Sequence, residues 1–326
     1  MPRKGGKRKP PLKKPTLGPA LDSYFNDDEP KPRGRKRKPT EPVVDLKGEA
    51  IRYETDEECK ERYYSVIEQT LHVMGDEPRP HPESVDLAFG VASSSISYLL
   101  QDVTPRAENA LQQILQRMKA RPDLIGRLLR YTEVVGNLRS LKANNSQAFN
   151  ANNEFDDDSE AFQGSTSTNY LQELASAIDA LKWENFDAQQ LMMMEDPVSA
   201  QRLEKLAARV KDMEMDEYEA LTSARQATFW TLGFDLNIKK STIERKSFLN
   251  WIGWEEAPQI IVFVLNFVAK ETVKQLADFA SRVIEMQRDK GEPVIPFDPS
   301  IYRMAFFRSA RARNGDFMFG ALPNVD

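Results

Sequence analysis

The sequence predicts an all-α chain in which two short–long–short helix triplets flank a polar linker, behind a basic tail. Three observations predict it. Apolar residues recur at three- and four-residue steps in one segment after another. The interruptions fall on Pro and Gly, the residues that stop a helix for steric and conformational reasons. The stretch 143–168, ANNSQAFNANNEFDDDSEAFQGSTST, is polar, acidic and almost free of aliphatic residues, and the blocks on either side of it repeat one order of elements. The boundaries that follow are a tail over 1–50, a first helical unit over 51–142, the linker over 143–168, connecting helices over 169–235 and a second unit over 236–326.

Residues 1–50 contain MPRKGGKRKPPLKK and KPRGRKRKPTEP, too rich in Pro, Gly and like charge to offset the entropy of ordering, so this segment is expected to be disordered by itself. From Asp56 the pattern changes. Tyr63, Val66, Ile67, Thr70, Leu71 and Met74 share one helical face, predicting a helix of about 18 residues that Gly75 ends. Pro78, Pro80 and Pro82 force an extended connection, after which Glu83 and Ser84 open a second helix carrying Val85, Ala88, Phe89, Ala92, Ile96, Leu99 and Leu100. After Val103-Thr104-Pro105, with Thr104 as the expected N-cap and Pro105 at the first helical position, Ala110, Leu111, Ile114, Leu115 and Met118 form a short helix. Pro122 punctuates again, and Leu124, Ile125, Leu128, Leu129 and Val135 lie on a helix reaching to about Leu141.

Beyond the linker, helical patterns run over about 169–195 and 197–229, the second opened by Asp196-Pro197. The run Met192-Met193-Met194 reads as adaptable filling at a helix contact. A helix with Ile243, Phe248, Leu249, Trp251 and Ile252 closes at Gly253. A long helix starts near Pro258, with Ile261, Val264, Leu265, Val268, Thr272, Leu276, Phe279, Ala280 and Val283 in three- and four-residue steps; about 30 residues span roughly 45 Å. GEPVIPFDP breaks it, and a short helix follows from Ser300 to about Arg313.

Composition narrows the function. The 326 residues, 40% hydrophobic and 29% charged, suit a soluble chain with a modest core and extended polar segments. The single Cys59 excludes an internal disulfide framework and a thiolate-rich zinc site, and a reducing compartment fits it best. There is no N-terminal apolar run of the secretory type, and IIVFVLNFVA at 260–269 is about half the length a bilayer span needs, so it reads as buried helix. His72 and His81 have no ligand spacing with Cys59, and neither a phosphate-cradling glycine loop nor a nucleophile elbow occurs. No catalytic residue, cofactor, metal, small-molecule substrate or membrane partner is expected.

Charge is unevenly spread. Residues 1–40 hold 13 Lys and Arg against 4 Asp and Glu (+9), leaving 32 against 46 (−14) for the rest. Lys7, Arg8 and Lys9, with Arg33, Arg35, Lys36, Arg37 and Lys38, suit a nuclear-localisation signal or nonspecific DNA contact, because short cationic runs recruit import receptors and phosphate alike. Arg33-Gly34-Arg35 is similar to the centre of an AT-hook, although Lys36 stands where that motif has proline. Arg117, Lys119, Arg121, Arg127 and Arg130 gather in one region, readable as a solvated basic face or a minor DNA contact.

A short helix, a loop, a long central helix, an extended loop and a short helix describe a histone fold, and the chain is expected to contain two. The central helix of such a unit presents apolar surface on both sides, so units pair head to tail around a joint core. That pairing core is expected to include Leu71, Val85, Phe89, Ile96, Leu99, Phe248, Trp251, Val264, Val268 and Leu276. GDEPRPHPESVDL and VTPRAENALQQILQRMKARPDLIGRLLRYTEV resemble the first fold of the Spt-three family, the histone-fold subunits of the SAGA coactivator that associate with TATA-box-binding protein, and of its counterpart among TFIID subunits. DEYEALTSARQATFW, KSFLNWIG, AKETVKQLADFA and FDPSIYRMAFFR are similar to later segments of that family in the same order, with Arg225, Gln226 and Phe229 matching its Ser/Ala-Arg-Gln-Ala/Leu-Ser/Thr-Phe run. Residues 57–142 and 169–313 are covered. The interval from Asp86 to Thr104 is about a turn or two shorter than the family's central helix and carries Ser93, Ser94, Ser95 and Ser97, mediocre helix formers.

The resemblance implies a nuclear, non-enzymatic coactivator subunit that pairs its two folds within one chain, docks among other SAGA subunits and binds TATA-box-binding protein. The alternatives are a TFIID-type histone-fold subunit, or a chromatin protein that binds DNA directly through its basic arm. The acidic cluster Glu214, Asp216, Glu217 and Glu219, beside the SARQATF segment, is the candidate contact for that basic partner.

Overall fold

The structure of the protein, a computed structural model, describes residues 56–150, 170–184, 186–230, 238–291 and 297–312. Among the described residues every regular element is a helix, so the chain is all-α. The tail over 1–50, most of the 143–168 linker, and Lys7, Arg8, Lys9, Arg33, Arg35, Lys36, Arg37 and Lys38 lie outside the described residues.

Helix α1 (Asp56–Val73) turns Tyr63, Ile67 and Leu71 inward, each at most 1% exposed, and Gly75 ends it at φ +114, a conformation L side chains rarely adopt. Helix α2 (Pro82–Leu100) starts one residue earlier than the apolar pattern indicates. His81 is its N-cap, the ring Nδ1 accepting from the Glu83 amide at 3.3 Å, and Pro82 occupies the first helical turn, where its missing N–H costs nothing. The serine run has a packing reason. Ser95 is buried, and Ser93 Oγ accepts from the Trp251 indole at 3.1 Å, so small polar residues let other helices approach closely.

Helix α3 is Ala110–Met118 and α4 is Pro122–Asn150. Two expectations are corrected here. Thr104 and Pro105 stay in the loop, where the Ala107 amide bonds the Thr104 carbonyl at 3.1 Å, and Asn109 takes the N-cap position. Helix α4 continues beyond Leu141 through Asn150, into the stretch read as linker, since polarity alone does not stop a helix that apolar residues upstream have nucleated.

The connecting region is also more broken than its periodicity suggests. The first pattern splits into α5 (Tyr170–Ala180) and α6 (Ala188–Met193), with Lys182 at φ 48 in the turn and an Asp187/Gln190 capping box restarting the chain. The second splits into α7 (Pro197–Val210) and α8 (Met215–Gln226) around a turn at 211–214. Of the methionine run, Met192 and Met194 pack against the core while Met193 is 77% exposed.

Helices α9 (Ile238–Trp251), α10 (Gln259–Asp289) and α11 (Pro299–Ala312) complete the chain, with Gly253 at φ +78 between α9 and α10. Helix α10 has 31 residues against 19 in α2. It lies along α2, α1 and α11, and α11 reaches α2 in turn. The triplets α1–α3 and α9–α11 therefore sit head to tail about the contact between their long helices. At one end Phe297 lies beside Gly75 and the Tyr302 hydroxyl donates to Asp76 at 2.7 Å. At the other, Arg106 pairs with Glu256 at 2.7 Å.

A second layer covers the far side of α10. Tyr131 of α4 and Tyr170 of α5 lie on the Phe263 ring at 5.6 and 5.3 Å between centroids, so Ile260–Ala269 are buried all round. Helix α4 approaches α6 so closely that a Cβ at Gly126 would stand 2.5 Å from the Leu191 carbonyl oxygen. No helix is long and apolar enough to cross a membrane among the described residues.

Candidate functional site

Helix α8 carries the candidate acidic contact. Glu214 occupies the N-cap position and Asp216 and Glu217 the first turn, where carboxylates complement the positive end of the helix dipole. Leu221 and Ala224 are buried where α8 packs along α1, which turns Glu214, Asp216, Glu217 and Glu219 to solvent with Met215 and Tyr218 exposed among them. The Glu217 carboxylate works against burial at Arg209 of α7, whose guanidinium burial holds below its ordinary value. The surface is thus acidic with two exposed apolar side chains.

What holds α8 in place is the segment that follows it. The Arg225 and Ala227 carbonyls at its C-terminus both accept from Lys270 Nζ of α10, the first at 3.2 Å. Asn266 Oδ1, almost fully buried, accepts from the Thr228 hydroxyl at 3.1 Å and the Trp230 amide at 3.2 Å, and Arg62 of α1 donates to the Phe229 carbonyl at 2.9 Å. Phe229 and Trp230 are buried. Phe229 enters a ring cluster with Tyr63 at 5.6 Å and Trp251 at 5.4 Å, and Trp251 also stacks on Phe89 at 5.4 Å and meets Phe248 edge-on at 5.4 Å. Residues 227–230 are therefore wedged between the two triplets. Burial, and then the charge of Lys274, bring the Lys270 ammonium down to about 7.

Of the residues expected in a joint core, Leu71, Val85, Ile96, Leu99, Phe248, Val264, Val268 and Leu276 are at most 2% exposed. Phe89 and Trp251 are half-buried at the rim, stacked on each other. Asn266, Arg62 and Lys270 carry no sequence signal of these roles, since the carbonyls and amide they serve lie far away in the chain.

Four of the five cations around α4 are spent on acceptors within the protein. Arg117 donates to the Leu99 carbonyl at 2.7 Å. Arg121 and Arg127 hold Asp123 at 2.8 and 2.7 Å, and Arg127 reaches Glu271 at 2.9 Å. Arg130 donates to the Met192 and Met194 carbonyls and to Asp196 at 2.9, 3.0 and 3.2 Å. Only Lys119 of the five is exposed without a described partner among these contacts. Arg127 shares Glu271 with Arg202 and Lys274; burial would raise that carboxyl, but Lys274, Arg202 and Arg127 hold it far below its ordinary value.

A cavity of about 340 Å³ opens at the α5–α6 turn, lined by Asp179, Lys182, Trp183, Glu184, Phe186 and Asp187 among others. Several of its polar groups already have partners: Trp183 donates to Gln116 Oε1 at 2.8 Å, Asp179 accepts from the Ala188 amide at 3.1 Å and Asp187 caps α6. Among the described residues no group of three or more His, Cys, Asp or Glu is placed to hold a metal. No protein-family model, curated protein or solved structure matches this chain.

Proposed function

We propose that the chain is a non-enzymatic transcription coactivator subunit, in which two histone folds pair within one polypeptide and present α8 to TATA-box-binding protein. One observation carries the reading: the loop of each triplet meets the opposite triplet at both ends of the contact between α2 and α10, at Asp76 with Tyr302 and at Arg106 with Glu256. Head-to-tail pairing of two short–long–short units produces that double apposition, whereas two helix bundles packed side by side have no need of it. The wedge at 227–230 gives the SARQATF resemblance a physical content, since its Phe229 closes the seam between the units.

TATA-box-binding protein is basic where it binds DNA, and the chain beyond residue 40 carries a net charge of −14 with four exposed acids on one turn and a half of α8. Opposite fields steer encounter, while packing contacts govern residence. The experiment is surface plasmon resonance of TATA-box-binding protein against wild type and the Glu217→Lys/Glu219→Lys double variant at two salt concentrations. Slower association in the variant, with little change in dissociation, is the expected result. Unchanged kinetics would clear α8 of the role, and no binding at any salt would remove the partner. Affinity capture of the full chain with mass spectrometry separates SAGA from TFIID membership, and recovery of nucleosomes alone would favour the chromatin reading.

A further inference from the structure

Among the described residues, helix α7 is attached unlike any other helix. It has no buried residue: Val198, Leu206 and Val210 are half-covered, and Leu203 is 65% exposed. Its backbone runs closely along no other helix. It is held at side-chain length by cations. Arg202 donates to Asp278 Oδ2 at 2.9 and 2.7 Å and to Glu271 Oε2 at 2.8 Å, Lys205 meets Glu285 at 2.8 Å, and Arg209 bonds the His72 carbonyl at 2.5 Å. The carboxylates Glu271, Asp278 and Glu285 follow one another at seven-residue steps on α10, so α7 spans about four turns of that helix.

Both ends of α7 are fixed independently of this ladder. Asp196 is held by Arg130 at 3.2 Å and Arg127 at 3.4 Å, and past the 211–214 turn α8 is anchored by Leu221, Ala224 and the Lys270 bonds. Nor does removing Arg202 strand the buried Glu271. Its oxygens keep Lys274 at 2.6 Å and Arg127 at 2.9 Å, while Arg202 and Asp278 would both pass into water.

From this geometry we infer that α7 is an ionic strap, opening as a unit between hinges at 194–196 and 211–214 while α2 and α10 stay folded, with the Arg202–Asp278 pair as its latch. The strap gives the protein a segment that loosens with ionic strength directly beside the acidic turn of α8. The strap depends on how α7 is attached and not on a role in transcription.

Hydrogen-exchange mass spectrometry on the full chain tests it, comparing wild type, Asp278→Asn and Leu206→Ala. Raising NaCl from about 0.05 to about 1 M contracts the screening length to about 3 Å, which screens the exposed Lys205–Glu285 pair strongly and the mostly buried Arg202 pairs less, and should speed exchange of amides in 200–210 about threefold, with those of α2 and α10 unchanged. Asp278→Asn at low salt should reproduce the acceleration, and Leu206→Ala should do so less. Three results would overturn the strap: α7 amides exchanging in step with α10, no response to salt or to Asp278→Asn, or a larger response to Leu206→Ala than to Asp278→Asn.

Discussion

The Tyr302 hydroxyl and the Asp76 carboxylate lie 2.7 Å apart across 226 residues of sequence, in a buried contact that ties the first loop of one helix triplet to the last helix of the other. Asp76 also accepts from the Glu77 amide at 2.7 Å, so its oxygens are both engaged. Burial nevertheless raises its pKa above the ordinary aspartate value, and the hydrogen bond from Tyr302 only partly opposes that.

Tyr302→Phe should therefore cost about 1–3 kcal/mol at neutral pH, the range for leaving a buried acceptor unpaired. Because Asp76 titrates above its unfolded value, its ionised form is the costly one in the fold. The deficit of the variant should accordingly shrink as pH falls through the raised pKa and Asp76 becomes protonated. Urea melts at two pH values would read this, and a pH-independent deficit would assign the loss to packing instead.

Val268→Asp and Ile96→Asp should each strand a carboxylate where the wild-type side chains are 0% and 2% exposed. A cost of several kcal/mol is enough to abolish cooperative thermal melting in a domain of ordinary stability. A variant that melts cooperatively near the wild-type temperature would place these residues outside a shared core.

Gly126→Ala should detach α6 from α4, since the added Cβ meets backbone and not a side chain that can turn away, 2.5 Å from the Leu191 carbonyl oxygen. About 1–3 kcal/mol of destabilisation is expected, and it should appear as faster hydrogen exchange in 188–193. A neutral effect would mean that the helices separate without loss.

Lys270→Gln keeps an amide donor for the carbonyls of Arg225 and Ala227 but removes the ammonium. With the Lys270 pKa lowered to about 7, the fold favours the neutral amine. Its contribution is present above the unfolded lysine value and lost as pH falls through about 7, so wild-type stability should rise between about pH 7 and 10. The glutamine variant should flatten that rise in chemical melts, and an identical slope would show that Lys270 titrates normally.

The sequence alone determined the helices of the two triplets and most of their ends. The steps of Tyr63, Ile67 and Leu71 and the stop at Gly75 specify α1; Pro258 and the apolar run through Val283 specify α10. These are local effects, written in side-chain periodicity and in backbone conformations that only certain residues adopt. The connecting helices escaped because their breaks obey other demands. Lys182 adopts φ 48 with no glycine to announce it, and the turn at 211–214 lets α8 lay Leu221 and Ala224 on α1 while Arg202 of α7 reaches α10. The basic run in 117–130 looked like a face because sequence records charge and not its partners; the carboxylates that consume it, Asp196 and Glu271, lie 66 and 144 residues away from Arg130 and Arg127. Asn266, Arg62 and Lys270 became meaningful only when folding brought the carbonyls and amides of 225–230 to them. A buried backbone group needs a partner wherever the chain can supply one, and that demand acts through space rather than along the sequence.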